Sequence, residues 1–239
     1  MKVSYCTTCR NRAHHLKITL PSNLHHAHPG DEFVVVDYGS EDRLGDWIRR
    51  EYCAELRVGL LLYARVEEMS EFIPPHAKNI AHRLGSGEVL CNLDADNCVG
   101  DGFGDWLRQM FAAHESAVTG AESHGVGGGF GRIAMRREDF LRLGGYDERM
   151  RGWGYEDDDL VLRARAFGLH KLVTPPRLLH WLQHADDQRC IRDGGKGANR
   201  DGNKRLSDVA LAERRLVANE GKPWGAAKMQ INFCEERTL

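Results

Sequence analysis

The run Phe33-Val34-Val35-Val36 constrains the fold of this chain more than any other feature: four consecutive apolar residues, three of them β-branched. A strand with one wet face alternates apolar and polar residues. A continuous run belongs to a strand covered on both faces, as in a parallel sheet between helix layers. The segments around it alternate in type. Strands are expected at Lys2–Cys6, Leu56–Tyr63, Glu88–Leu93 and Ser116–Gly120. Helices are expected at Asn11–Leu20 (stopped by Pro21), at Glu41–Tyr52, from Pro74 to Leu84, and at Asp101–His114. This order predicts a single-domain α/β fold: a mostly parallel central sheet with helices on both faces. Ligands of such sheets bind beyond the carboxyl ends of the strands. Thr7–Arg12, Asp37–Ser40 and Asp94–Asn97 should therefore open onto one edge.

The last third is less regular. Five glycines fall within Gly125–Gly131. Arg137–Leu143 and Glu156–Phe167 read as helices, Leu169–Val173 and Arg177–Leu182 as strands, and Ser207–Ala218 as a final helix. Residues 189–205 read as a mobile loop with six basic residues (Arg189, Arg192, Lys196, Arg200, Lys204, Arg205) against Asp193 and Asp201. Such a segment suits a solvated loop, a lid over phosphates, or a local track for a polyanion such as DNA.

Composition excludes several classes. With 239 residues, 41% hydrophobic and 28% charged, the chain is long and apolar enough to bury a core. Its longest apolar stretch, Val58–Ala64, is far below the roughly 20 residues of a membrane-spanning helix, and Met1–Cys6 has no signal-peptide core. A formal charge of −2 gives no global field for nucleic acid. Seven cysteines cannot all pair internally, so reduced thiols in a cytoplasmic setting are expected. Cys6-Thr7-Thr8-Cys9 lacks the second pair a four-cysteine zinc site needs.

Two acidic constellations carry the chemistry. Asp94-Ala95-Asp96 follows an apolar strand, and its oxygens suit Mg²⁺ or Mn²⁺ completed by substrate phosphates, or else a simple turn. Gly152-Trp153-Gly154-Tyr155 precedes four consecutive acids, Glu156 to Asp159. One or two acids would complement a helix N-terminus. Four of them beside an aromatic residue suggest a sugar platform next to a carboxylate base.

Taken with Asp37-Tyr38-Gly39-Ser40-Glu41-Asp42, Ala77–Ala81 and Gly144-Gly145-Tyr146-Asp147-Glu148, these segments resemble, in order and spacing, a GT-A-fold, family-2-like nucleotide-sugar glycosyltransferase. The C-terminal half is similar to the galactosyltransferase and chondroitin-polymerase type. The resemblance implies a nucleotide-binding half (1–120) and an acceptor-binding, catalytic half (121–239). It implies inverting, metal-dependent transfer from a nucleoside-diphosphate sugar, a UDP-sugar first, to a hydroxyl acceptor: a glycan, or a hydroxylated DNA base. A sugar-nucleotide nucleotidyltransferase is the competing enzyme class.

The roles follow from the same resemblance. Asp157 would be the catalytic base. Thr7, Arg10, Arg12, Asp37, Lys78 and Asp94 would lie on the donor nucleotide. Trp153, Tyr155 and Glu156 would meet the acceptor or sugar, with Tyr155 standing where the galactosyltransferase form has glycine. Asp96 and a histidine would hold Mn²⁺ or Mg²⁺. The order helix, glycine, strand, histidine favours His180, with His184 as the alternative.

Overall fold

The computed structural model describes residues 1–67, 69–122, 129–184 and 195–239; the side chains of 195 and 196 are excepted. Four strands form its parallel centre: β1 (Val3–Cys9), β2 (Glu32–Tyr38), β3 (Leu61–Val66) and β4 (Val89–Asn92). β1 pairs in parallel with β2 and β4, and β2 with β3. The apolar run lies in β2 and is buried on both faces. Phe33 and Val35 join one core with α1 (Ala13–His25), α2 (Leu44–Glu51) and a helix reaching Ala113. Val34 and Val36 join the other core. Each such buried valine contributes about 1.5–3 kcal/mol, which fixes the register, since a one-residue slip would exchange the two faces.

The helices follow from local signals. Pro74 and Pro75 open α4, which runs to Leu84 as its sequence implies. Two boundaries differ from expectation. Pro21 lies inside α1 instead of ending it. The carbonyl it deprives is that of Lys17, and both residues are exposed, so water can take the free bond. The strand expected from Leu56 begins only at Leu61, because Cys53–Arg57 form a short helix, α3. Gly59 ends it with φ +75°, the Leu60 N–H donating to the Glu55 carbonyl at 3.0 Å.

The second half extends the same sheet. Its elements are β5 (Asn97–Cys98), α5 (Phe103–Ala113), β6 (Ala117–Gly120), β7 (Ala134–Arg136), α6 (Arg137–Arg142), α7 (Glu156–Ala166) and β8 (His170–Val173). A 3₁₀ turn at Pro176–Leu178 and β9 (His180–Trp181) replace the single strand expected over Arg177–Leu182. α8 (Gly195–Ala212) overturns the loop expected through residue 205: its described part is helical from Gly195, and 189–194 lie outside the described residues. β10 (Lys228–Ile231) and β11 (Glu235–Thr238) complete the chain. Among the described residues the main sheet has the order β11-β10-β3-β2-β1-β4-β7-β6-β8, and β5 pairs with β9 apart from it. β7 is antiparallel to both neighbours, and β10 is antiparallel to β3. None of the described helices is long and apolar enough to cross a membrane.

Candidate functional site

The carboxyl ends of β1, β2 and β4 meet at one edge. The loops after β1 and β2 are bonded to each other. The Asn11 N–H donates to Ser40 Oγ at 3.1 Å, and the Ala13 N–H to Asp42 Oδ2 at 2.7 Å. Asp37 is wholly buried there and fully engaged. It accepts the Ser40 N–H at 2.7 Å, the Tyr63 hydroxyl at 2.5 Å and an Arg65 N–H at 2.8 Å. It thereby fixes the half-exposed Arg65, which no local sequence signal singles out. Thr7 is buried within β1. Arg10 donates to the Ser70 carbonyl at 3.2 Å, and the Arg12 carbonyl caps α1.

Past β4, Asn92 Nδ2 donates to Asp94 Oδ1 at 3.0 Å, and the Asn97 N–H to the Asp94 carbonyl at 2.8 Å, so both acids sit in a tight turn. β9 then crosses this turn. Asn97 pairs with Trp181, and the Leu182 N–H donates to the Asp96 carbonyl at 2.7 Å. This antiparallel path carries the chain back over the acids and delivers His184, whose Nε2 lies 2.9 Å from Asp96 Oδ2. His180, the residue favoured by sequence order, pairs with Cys98 farther along, and its ring lies over Gly100. Register decides between them: His184 meets Asp96, and His180 does not. Burial pushes the Asp96 carboxyl above its usual range, and Asp94 adds to the rise; Asn97 and His184 oppose it.

Arg132, which sequence reasoning missed, ties these strands together. Its buried guanidinium donates to the carbonyls of Leu178 (2.8 Å) and His180 (2.7 Å) and to Asn97 Oδ1 (3.1 Å). All three partners are distant in sequence, so no local signal marks it.

The acid helix arrives from the other side. Lys78 of α4, expected on the nucleotide, lies between the two leading acids, 2.7 Å from Asp157 Oδ1 and 3.1 Å from Glu156 Oε1. Burial works against its charge, but Asp157, Glu156 and Asp94 outweigh that and hold its pKa well above the ordinary value. The Asp157 carboxyl is pushed up by burial and by Glu156 and Asp94, with Lys78 pulling it down. Of the other acids, Asp159 is buried against Arg163 at 2.7 Å and serves the core. A Cβ on Gly131 would lie 2.7 Å from Asp94 Oδ2 and 3.0 Å from Asp157 Oδ2, so the two carboxylates converge over this glycine. Trp153 lies half-buried at the same helix start. The Tyr155 ring is covered by basic side chains of α8. A separate cavity of about 470 Å³ beside Arg149, Arg151 and Lys222 includes none of Asp94, Asp96 or Asp157.

The donor set suits a hard divalent cation. Ligands at about 2.1 Å in adjacent octahedral positions stand about 3 Å apart, close to the separation of Asp96 and His184. Among the described residues no group of three or more His, Cys, Asp or Glu forms a complete metal cage. A cation held by two protein groups and completed by phosphates needs none.

Residues 109–183 match the family model described as the N-terminal domain of galactosyltransferase. Human chondroitin sulfate N-acetylgalactosaminyltransferase 1 is 38% identical over 63 residues, which are 26% of this chain and 12% of that protein. The mouse protein is 36% identical over the same length, so the match spans about an eighth of these curated relatives. Among solved structures, S. aureus TarS 1–349 in complex with UDP-GlcNAc superposes with a TM-score of 0.69 at 16% identity, covering 88% of this chain and 66% of that one. Mannosyltransferase PcManGT from Pyrobaculum calidifontis, in complex with GDP-Man and Mn²⁺, gives 0.64 at 19% identity, with 89% and 64% covered. These likenesses establish the GT-A fold over most of the chain, and the segment that matches the galactosyltransferase model carries the acid helix.

Proposed function

We propose that the chain moves a sugar from a nucleoside-diphosphate sugar to a glycan hydroxyl, with inversion at the anomeric carbon. One observation carries this reading. Asp94, Asp96 with His184, and Asp157 come from three separate segments and converge at the carboxyl edge of the parallel strands. The TarS and PcManGT complexes support a nucleotide-sugar donor, a UDP-sugar first.

Asp96 and His184 would hold Mn²⁺ or Mg²⁺, and Asp94 lies beside them. The bound cation supplies Lewis-acid neutralisation of the departing diphosphate. The chain's own residues do the rest. Asp157 takes the proton of the acceptor hydroxyl as that oxygen attacks the anomeric carbon on the face opposite the diphosphate. Its desolvated carboxylate makes a stronger base than one in water. Lys78 holds Asp157 and Glu156 together and keeps enough positive charge nearby for Asp157 to ionise. Gly131 leaves open the space the two carboxylates share, where a methyl group would intrude. Trp153 offers an aromatic face to the sugar. Arg65, held by Asp37, lies on the nucleotide side together with Arg10 and Arg12.

A panel of nucleoside-diphosphate sugars, assayed with Mn²⁺ for release of nucleoside diphosphate, tests the reading. One donor should release diphosphate in an acceptor-dependent way, and a chelator should stop it. Release of pyrophosphate would instead identify a nucleotidyltransferase and overturn the proposal.

A further inference from the structure

Tyr155 occupies left-handed backbone, with φ +77°, at the N-cap of α7 and makes no side-chain cap bond. An N-cap residue ordinarily has extended backbone and bonds the helix N–H groups through its side chain. An aromatic residue with positive φ is strained, and strain of this kind persists only where the surroundings hold it. Here the surroundings are α8. The Arg200 guanidinium carbon lies 5.2 Å from the Tyr155 ring centroid, and Lys204 Nζ, one turn later, lies 5.9 Å from it. The adjacent face of α8 binds the backbone of the same loop. Asn199 Oδ1 accepts the Trp153 N–H at 3.3 Å, and Asn203 Oδ1 accepts the Arg151 N–H at 3.0 Å. The Asn203 Nδ2 donates to the Gly154 carbonyl at 2.7 Å and to the Arg151 carbonyl at 3.1 Å. Asn203 is buried, while most of the helix around it is exposed. Four side chains at positions 199, 200, 203 and 204 therefore grip the loop from Arg151 to Tyr155.

We infer that Tyr155 is a positioning residue for α8, not the sugar contact that sequence resemblance implies. Its ring, spent on Arg200 and Lys204, seats the helix. The seated helix fixes the backbone that presents Trp153 and leads into Glu156 and Asp157. The glycine found here in the galactosyltransferase form has no ring with which to do this. The assignment of this loop to the acceptor side rests on the function proposed above; the seating of α8 does not.

The experiment compares Tyr155→Gly, which removes both ring and strain, with Tyr155→Phe, which keeps the aromatic face. Limited trypsin digestion of the full chain reads cleavage after Arg200, Lys204 and Arg205. Tyr155→Gly should speed cleavage there at least tenfold, with cleavage after Arg83 and Lys171 unchanged, and Tyr155→Phe should stay within twofold of wild type. On the active donor, Tyr155→Gly should raise the acceptor KM at least tenfold and leave the donor KM within twofold; Phe should restore both. The double variant Arg200→Ala/Lys204→Ala breaks the same contact from α8 and should speed cleavage after Arg205, the trypsin site it keeps, at least tenfold, even if the glycine variant fails to fold. A wild-type rate of cleavage after Arg205 in the double variant, or an equal rise in donor and acceptor KM in Tyr155→Gly, would overturn the inference. The digestion needs no turnover, so a chain inactive on every donor would sink the proposed function while still testing the seating of α8.

Discussion

At the residue scale, the site depends on which side chains share a space. Asp94, Asp96 and Asp157, which the structure brings near one another, stand in acid clusters after a strand and at a helix start that are visible in the sequence itself. The choice of histidine was not legible. His180 and His184 stand four residues apart, and only the pairing of Asn97 with Trp181 decides which returns to Asp96. His184→Ala should weaken Mn²⁺ binding, measured by titration calorimetry with nucleotide present, at least tenfold, while His180→Ala changes it less than threefold. Lys78 leads to a pH prediction. Burial raises the Asp157 carboxyl to about 8, so the base is lost as pH falls through that value, and kcat/KM should drop there, well above the usual carboxylate range. Lys78 opposes the rise, so in Lys78→Met the acid limb of the pH profile should move to higher pH. An unmoved limb would show that another group titrates. Gly131→Ala should cut kcat at least a hundredfold with circular dichroism unchanged, since its methyl would press on both carboxylates.

At the scale of elements, the first half was readable and the second only in part. The apolar β2 run, the paired prolines of α4 and the glycine stops mark their elements because the cause lies within a few residues. β7 was missed because its three residues are strand-like only through their partners β4 and β6. β10 and β11 were missed for a similar reason: Glu235–Thr238 is a polar, exposed edge with no apolar face to announce it. The glycines and charges before Ser207 disfavour an isolated helix, so the sequence there resembles a loop. α8 forms all the same, held in part by the buried Asn203 on the loop before α7. Arg132 is the element-scale counterpart. Replacing it with Met would leave the carbonyls of Leu178 and His180 without their donor and should destabilise the fold by about 2–4 kcal/mol, visible as a lower denaturant midpoint. A change under about 0.5 kcal/mol would mean that β9 is held by other contacts.

At the scale of the whole molecule, one sheet joins two kinds of construction. The parallel strands β3-β2-β1-β4 open their carboxyl ends onto one edge, and Gly131, just before the antiparallel β7, lies at the junction. The acid helix approaches that junction from the far half, with Lys78 of the near half between its carboxylates. The near balance of 33 basic and 35 acidic residues thus hides opposite local charges, acids at the junction and bases along α8. The central claim is that Asp157 acts as the base while the remaining residues bind the donor. It is tested most directly with Asp157→Asn, by measuring sugar transfer and donor affinity on the same protein. Transfer should fall by at least a thousandfold with donor Kd within threefold of wild type. Transfer within tenfold of wild type at unchanged donor affinity would contradict the claim.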